Sequence, residues 1–142
     1  MIQKYGSASW QGGLRDGQGT VSTETGSLSG QNYSFAKRFG DEKGTNPEEL
    51  IGAAHAACFA MALSADLEKA GLKADNIDAQ STVTLDMSNG PNITRVHVDV
   101  SATVPGATDD QFREVAEGTK QNCPVSKVLS GSAQITMNAR LA

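Results

Sequence analysis

The chain has little cysteine, no basic cluster and no phosphate-binding glycine loop, and each shortage excludes a class of protein. Two cysteines, Cys58 and Cys123, in 142 residues are too few for a disulfide scaffold. In a reducing compartment so separated a pair stays as free thiols, unless oxidation is its chemistry. There is no lysine- or arginine-rich run, and a net charge of −4 with a pI near 5.1 argues against nucleic acid or an anionic membrane as the main partner. A small molecule or another protein fits better. The opening MIQKYGSASW has no apolar h-region, and no uninterrupted apolar run approaches the length that crosses a bilayer. The cytoplasm is therefore the expected compartment. "GGLRDGQG" lacks the spacing and the strand-to-helix context of a phosphate cradle.

At 142 residues the chain is predicted to form one domain over residues 1–142, long enough to bury roughly two thirds of the surface its unfolded form exposes. Residues 1 to 37 alternate weakly in short pieces, "KYGSASW", "GTVSTE" and "QNYSFAK", between glycine-containing turns, the pattern of a strand meander. A helix start follows in "TNPEELIGAAHAACFAMAL". Asn46 is placed as N-cap, Pro47 at the first helical position and Glu48 and Glu49 in the first turn, with Glu49 set for a capping box. This helix is predicted to run to Lys69 or Ala70, with Gly71 just past its end.

Residues 77–87 and 93–104 alternate around the hairpin loop "SNGPN". "TDDQFREVAEGTKQN" reads as an amphipathic helix opened by Thr108 or Asp109, "CPVSKVL" as a short helix begun by Pro124, and "GSAQITMNARL" as a last strand. The order predicts an α+β fold, in which a strand meander and hairpin sheets surround a central apolar helix. Alanines at 53, 54, 56, 57, 60, 62 and 65 leave that helix almost no polar face. A helix apolar on nearly every side is wrapped on nearly every side, by the chain's own sheets or by a second subunit, and a dimer is predicted.

Several residues could carry chemistry, each with a structural alternative. Cys58 has a plain reading as a small buried hydrophobe, and burial raises a thiol's pKa, so it needs a cation beside it to react. Cys123 sits at about the N-cap of the helix begun by Pro124, where backbone N–H groups favour a thiolate; otherwise it is an incidental turn residue. His55, three residues before Cys58, shares its helix face and could form a Cys–His pair or half of a metal site; otherwise it is a packed or interfacial histidine. A zinc site from His55, Cys58 and Cys123 lacks a fourth ligand and the C-x-x-C spacing. His97, alternating within a strand, reads as a sheet-surface residue. Glu48 and Glu49 are explained as first-turn acids, and Arg38 as a solvated charge.

"EKGTNPEELIGAAHAACFAMAL", "NCPVSKVL" and "GTVSTETG" together closely resemble the OsmC/Ohr family, in particular its OsmC branch, over about Gly6 to Leu141. The resemblance implies a thiol-dependent peroxidase that reduces organic hydroperoxides in stress defence, built as an intertwined homodimer. By it, Cys58 is the reactive cysteine, Cys123 the resolving cysteine, Glu48 the glutamate of the N-P-E segment and Arg38 the family arginine. It implies no bound cofactor and an external small dithiol or lipoyl-type reductant.

An unperturbed thiol of pKa about 8.5 is only roughly 3% thiolate at pH 7, whereas a two-unit drop makes it roughly three quarters thiolate. Arg38 would supply the cation for that drop, held by a bidentate pair with Glu48. A continuous helix separates Glu48 from Cys58 by roughly 15 Å along its axis. Either Glu48 and Arg38 serve the partner subunit's Cys58, or the helix breaks near Gly52. The competing functions are a Cys58–His55 hydrolase and a non-catalytic binding module using the alanine-lined cavity.

Overall fold

Short polar strands between glycine turns can build only a thin sheet, and the N-terminal part of the chain does so. In the computed structural model, which describes Met1–Ala142, the chain divides into two compact units, Met1–Leu50 and Ile51–Ala142. In the first unit, β1 (Gly6–Gln11), β2 (Gln18–Thr23) and β3 (Gln31–Tyr33) form an antiparallel sheet in the order β1-β2-β3. Trp10 and Tyr33 flank Gly19 in register, and with no side chain between them their rings meet at 5.3 Å. The meander then ends earlier than the sequence predicts. Residues 35–37, read as part of the third strand by alternation, instead begin a short helix, α1 (Phe35–Phe39). Ser34 caps it by accepting a hydrogen bond from the Lys37 N–H, and a side-chain cap of this kind competes directly with a strand ladder.

The long helix α2, Pro47–Lys69, carries the chain into the second unit. Its start follows the predicted cap: the Glu49 N–H donates to Asn46 Oδ1 at 2.8 Å, and the Asn46 side-chain amide donates back to Glu49. Its end is a Schellman motif, with Gly71 at φ +79° and two closing hydrogen bonds, Leu72 N–H to Leu67 O and Gly71 N–H to Glu68 O. The helix does not break at Gly52.

Only one face of α2 is buried in the chain, by Gly52, His55, Phe59, Leu63 and Leu67. Ala53, Ala54, Ala57, Met61 and Ala65 on the other face are exposed, so the predicted wrapping on all sides is half present. By length and composition α2 is also apolar enough to cross a membrane, which the sequence reading missed by asking for an uninterrupted run. The core helix of a soluble protein passes the same test. Here Phe59, Leu63 and Leu67 are fully buried in a packed core, each worth about 1.5–3 kcal/mol.

That core is built on a second sheet in the order β4-β5-β6. β4 (Asn76–Asp86) and β5 (Asn92–Thr103) form the predicted antiparallel hairpin, while β6 (Gln134–Leu141) runs parallel to β5. The crossover to β6 holds α3 (Asp109–Asn122) and α4 (Pro124–Leu129). Thr108 caps α3 with a complete capping box to Gln111. Along β5, Val96, Val98, Val100 and Ala102 are buried, and the last three pack with Phe59, Leu63, Leu67, Phe112 and Ala116. Thr119 of α3, fully buried, donates to Asp66 Oδ2 of α2 at 2.6 Å and so fixes the two helices against each other.

Candidate active site

The chain brings together two pairs of the residues singled out from the sequence, one pair in each unit. In the first unit, Arg38 lies in the last turn of α1 and Glu48 in the first turn of α2. The guanidinium reaches both carboxylate oxygens, with Nη2 to Oε1 at 2.8 Å, Nε to Oε1 at 3.2 Å and Nε to Oε2 at 3.3 Å. The Glu48 side chain is 13% exposed, so the pair is better shielded than a surface ion pair. The Arg38 guanidinium also lies 5.1 Å from the centre of the Phe39 ring. Arg38 is thus held by a carboxylate and an aromatic face together.

In the second unit, Cys58 of α2 and Cys123 at the corner between α3 and α4 bring their sulfurs within 3.1 Å, one thiol donating to the other. Both are free. An approach of about 1 Å would reach disulfide bonding distance. Their surroundings differ: Cys58 is half-buried and Cys123 is fully buried. Burial pushes the Cys58 thiol up, the neighbouring Cys123 adds to the rise, and only the Val125 N–H opposes it. Burial would also raise Cys123, but the Ser126 N–H, the Cys58 thiol, the Ser126 hydroxyl and the Val125 N–H around it together outweigh that and bring the pKa down. The Cys123 side chain makes no cap hydrogen bond to α4. In the chain by itself the pair therefore favours a thiolate on Cys123, while Cys58 carries no cation among the groups that shift it.

His55 does not pair with Cys58. It is fully buried, and its two ring nitrogens meet serine hydroxyls, Nδ1 with Ser81 Oγ at 2.8 Å and Nε2 with Ser126 Oγ at 2.7 Å. With both nitrogens engaged, neither a Cys58–His55 nucleophile nor a zinc site through His55 has a geometric basis. Burial lowers its pKa, which keeps the ring neutral. His97 is a partly exposed sheet residue, hydrogen-bonded to Thr136 and Asn138. The serines are what the sequence reading missed. Ser126 lies three residues after Cys123, the spacing that puts it beside the cysteine in a helix start, but Ser81 comes from a distant strand and carries no local pattern.

An α+β frame with two unequal thiols in contact, one accessible and one enclosed, defines a paired-cysteine protein whose own geometry permits the pair to join. Comparison with known proteins gives its family. The OsmC-like protein family matches residues 40–138, and the chain belongs to that family. It is 48% identical to the peroxiredoxin OsmC of Escherichia coli strain K12 over 141 residues, 99% of this chain and 97% of that one. It is 31% identical over 98 residues to the organic hydroperoxide resistance protein of Xanthomonas axonopodis pv. citri, covering 66% of each chain. Among solved structures, an organic hydroperoxide resistance protein from Elizabethkingia anophelis shares the fold with a TM-score of 0.76 at 23% identity, over 100% of this chain and 98% of the other.

Proposed function

We propose that this chain is a cysteine-based peroxidase that reduces organic hydroperoxides to alcohols in stress defence, working in the cytoplasm with an external dithiol as reductant. The observation that carries this reading is the 3.1 Å contact between an accessible and a buried thiol. The relatives named for peroxiredoxin activity and organic hydroperoxide resistance support it. Cys58, the more accessible member, attacks the terminal oxygen of ROOH as a thiolate. The S–O bond forms, the O–O bond breaks, and the alkoxide takes a proton and leaves as ROH. Cys123 then condenses with the Cys58 sulfenic acid, forming the disulfide and releasing water. The external dithiol reopens the disulfide by two exchanges and is itself oxidised.

Two features point to a second copy of the chain as part of this site. Burial raises the Cys58 thiol, so turnover at neutral pH requires a cation, and α2 is continuous from Pro47 to Lys69. Glu48 and Cys58 of one chain then lie roughly 15 Å apart along the axis. The Arg38–Glu48 pair of one subunit therefore serves the Cys58 of its partner. The exposed face of Ala53, Ala54, Ala57, Met61 and Ala65 is the surface on which the two copies pack. A hollow of about 280 Å³ lined by Trp10, Leu14, Tyr33, Phe35 and Phe39 adjoins Arg38. It offers an apolar seat for the R group beside the charge that activates the thiol.

The test is a count of free thiols before and after one equivalent of an alkyl hydroperoxide. Both thiols disappear together and return with a dithiol. Cys58→Ser abolishes turnover, and Cys123→Ser consumes about one equivalent and stalls or overoxidises. Normal turnover by Cys58→Ser would refute the assignment.

A further inference from the structure

The mechanism just given leaves one buried titratable group without a role. His55 is fully enclosed and joins three elements, since it sits on α2 and bonds Ser81 of β4 and Ser126 of α4 at 2.8 and 2.7 Å. Ser126 lies in the first turn of α4, three residues after its N-cap Cys123, both side chains are fully buried, and the Ser126 hydroxyl is among the groups that favour the Cys123 thiolate. We propose that His55 is a positioning residue for Cys123, acting through Ser126: it fixes which way the Ser126 hydroxyl proton points and thereby stabilises the Cys123 thiolate when the disulfide is made and broken. This rests on the thiol cycle proposed above.

A neutral imidazole has one N–H, and each serine has one O–H. Two arrangements of the Ser81–His55–Ser126 chain satisfy both contacts. In one, Ser81 donates to Nδ1, Nε2–H donates to Ser126 Oγ, and the Ser126 proton is free for sulfur. In the other, Nδ1–H donates to Ser81, the Ser126 proton is held by Nε2, and only lone pairs face Cys123. A thiolate selects the first arrangement, because a hydrogen bond to a charged acceptor is stronger than one between neutral groups. A disulfide or thiol at Cys123 removes that preference. Burial, which lowers the His55 pKa, keeps the ring in the singly protonated form on which the alternation depends.

Cys123 carries charge at two points of the cycle. As the condensing thiolate it attacks the Cys58 sulfur, the S–S bond forms, and the departing hydroxide takes up a proton to become water. On reduction, a thiolate of the external dithiol attacks the accessible Cys58 sulfur. A mixed disulfide forms, the Cys58–Cys123 bond breaks, and the electron pair leaves on Cys123. At both points the Ser126 proton, presented by His55, faces the charge. The first chemical step, attack of Cys58 on the hydroperoxide, places no charge on Cys123 and does not use the chain.

The experiment separates these steps. In a Cys58→Ser background Cys123 is the remaining thiol, and its ionisation is followed by ultraviolet thiolate absorbance against pH, with no peroxide present. Apart from Cys58, no titratable group acts on Cys123. Adding His55→Leu or Ser126→Ala to that background raises the Cys123 pKa by about one unit, the worth of one hydrogen bond to a charged group. The combined His55→Leu, Ser126→Ala protein shows no further rise.

With both cysteines present, stopped-flow measurement after one equivalent of hydroperoxide shows sulfenic acid forming no more slowly than in the parent, because a less charged Cys123 opposes the Cys58 thiolate less, while disulfide closure and reopening are slowed about tenfold. Ser126→Ala removes a single oxygen and remains informative if His55→Leu does not fold. An unchanged Cys123 titration in Ser126→Ala overturns the proposal. So does an additive effect of the two substitutions, or a slowed first step with unchanged closure. If the parent protein consumed no hydroperoxide the thiol cycle itself would fail, while the titration would still report on the proton chain.

Discussion

Two glycines in helices of the second unit, Gly52 and Gly118, should respond in opposite directions to the same substitution. A Cβ on Gly118 of α3 meets nothing within 4 Å, so Gly118→Ala expresses helix propensity alone and stabilises by up to about 1 kcal/mol. A Cβ on Gly52 of α2 would stand 2.7 Å from the backbone oxygen of Ser81. Backbone of a paired strand cannot turn aside as a side chain does. Reaching the 3.4 Å of ordinary contact requires α2 and β4 to part by roughly 0.7 Å. Overpacking of this kind costs about 1–3 kcal/mol. The same displacement stretches the 2.8 Å His55–Ser81 hydrogen bond, at about 1 kcal/mol, and propensity returns about as much. Gly52→Ala is thus expected to destabilise by about 1–3 kcal/mol. Urea unfolding of the reduced protein measures both variants, as a lower midpoint for Gly52→Ala and a higher one for Gly118→Ala at an unchanged slope. Stabilisation by both would show that α2 is not held close to β4, and the positions of Ser81 and His55 would lose their explanation.

Other outcomes are as specific. Arg38→Ala leaves a folded protein whose Cys58 alkylation slows at neutral pH and is nearly preserved at high pH; an unchanged pH profile would remove Arg38 from the site. Mixing Cys58→Ser chains with Arg38→Ala, Glu48→Ala chains under subunit exchange restores part of the activity as heterodimers, with one intact site each. Confirmed exchange without activity would show that each chain builds its own site. Because burial depresses the His55 pKa, the unfolded chain binds the proton more readily. Its contribution to stability is therefore complete above the unfolded value of 6.5 and declines as pH falls below it, by at most about 1.4 kcal/mol per pH unit. His55→Gln should remove that component from the stability–pH curve, and an unaltered curve would mean that His55 is not buried neutral.

Much of α2 and of the second unit was legible because the signals are local. Asn46, Pro47 and Gly71 mark both ends of α2, and alternation marks β4 and β5, since capping and burial of one sheet face act within a few residues. α1 was not legible, because five residues are too few to show helical periodicity and Ser34 alone distinguishes them from strand. The parallel pairing of β6 with β5 depends on the path of the α3–α4 crossover, which no local pattern records. At the site, the resemblance selected Cys58 and Cys123, and spacing placed His55 on the cysteine face of α2. The partners of His55 lie 26 and 71 residues away in the chain, beyond any periodicity, and so a Cys58–His55 pair remained open until the serines were seen.

In the proposed thiol cycle, the position of Cys123 also couples turnover to the durability of the fold. Cys58 and Cys123 are 65 residues apart in sequence, and joining them closes a loop over nearly half the chain. A cross-link of that span removes enough freedom from the unfolded chain to favour the native state by about 4 kcal/mol in the chain-entropy description. By linkage, folding favours the disulfide over the dithiol to the same extent. The molecule that has just spent its thiols is then the one most resistant to unfolding and proteolysis. A shortage of reductant would leave the protein inactive but persistent, a reserve restored by reduction and not by synthesis.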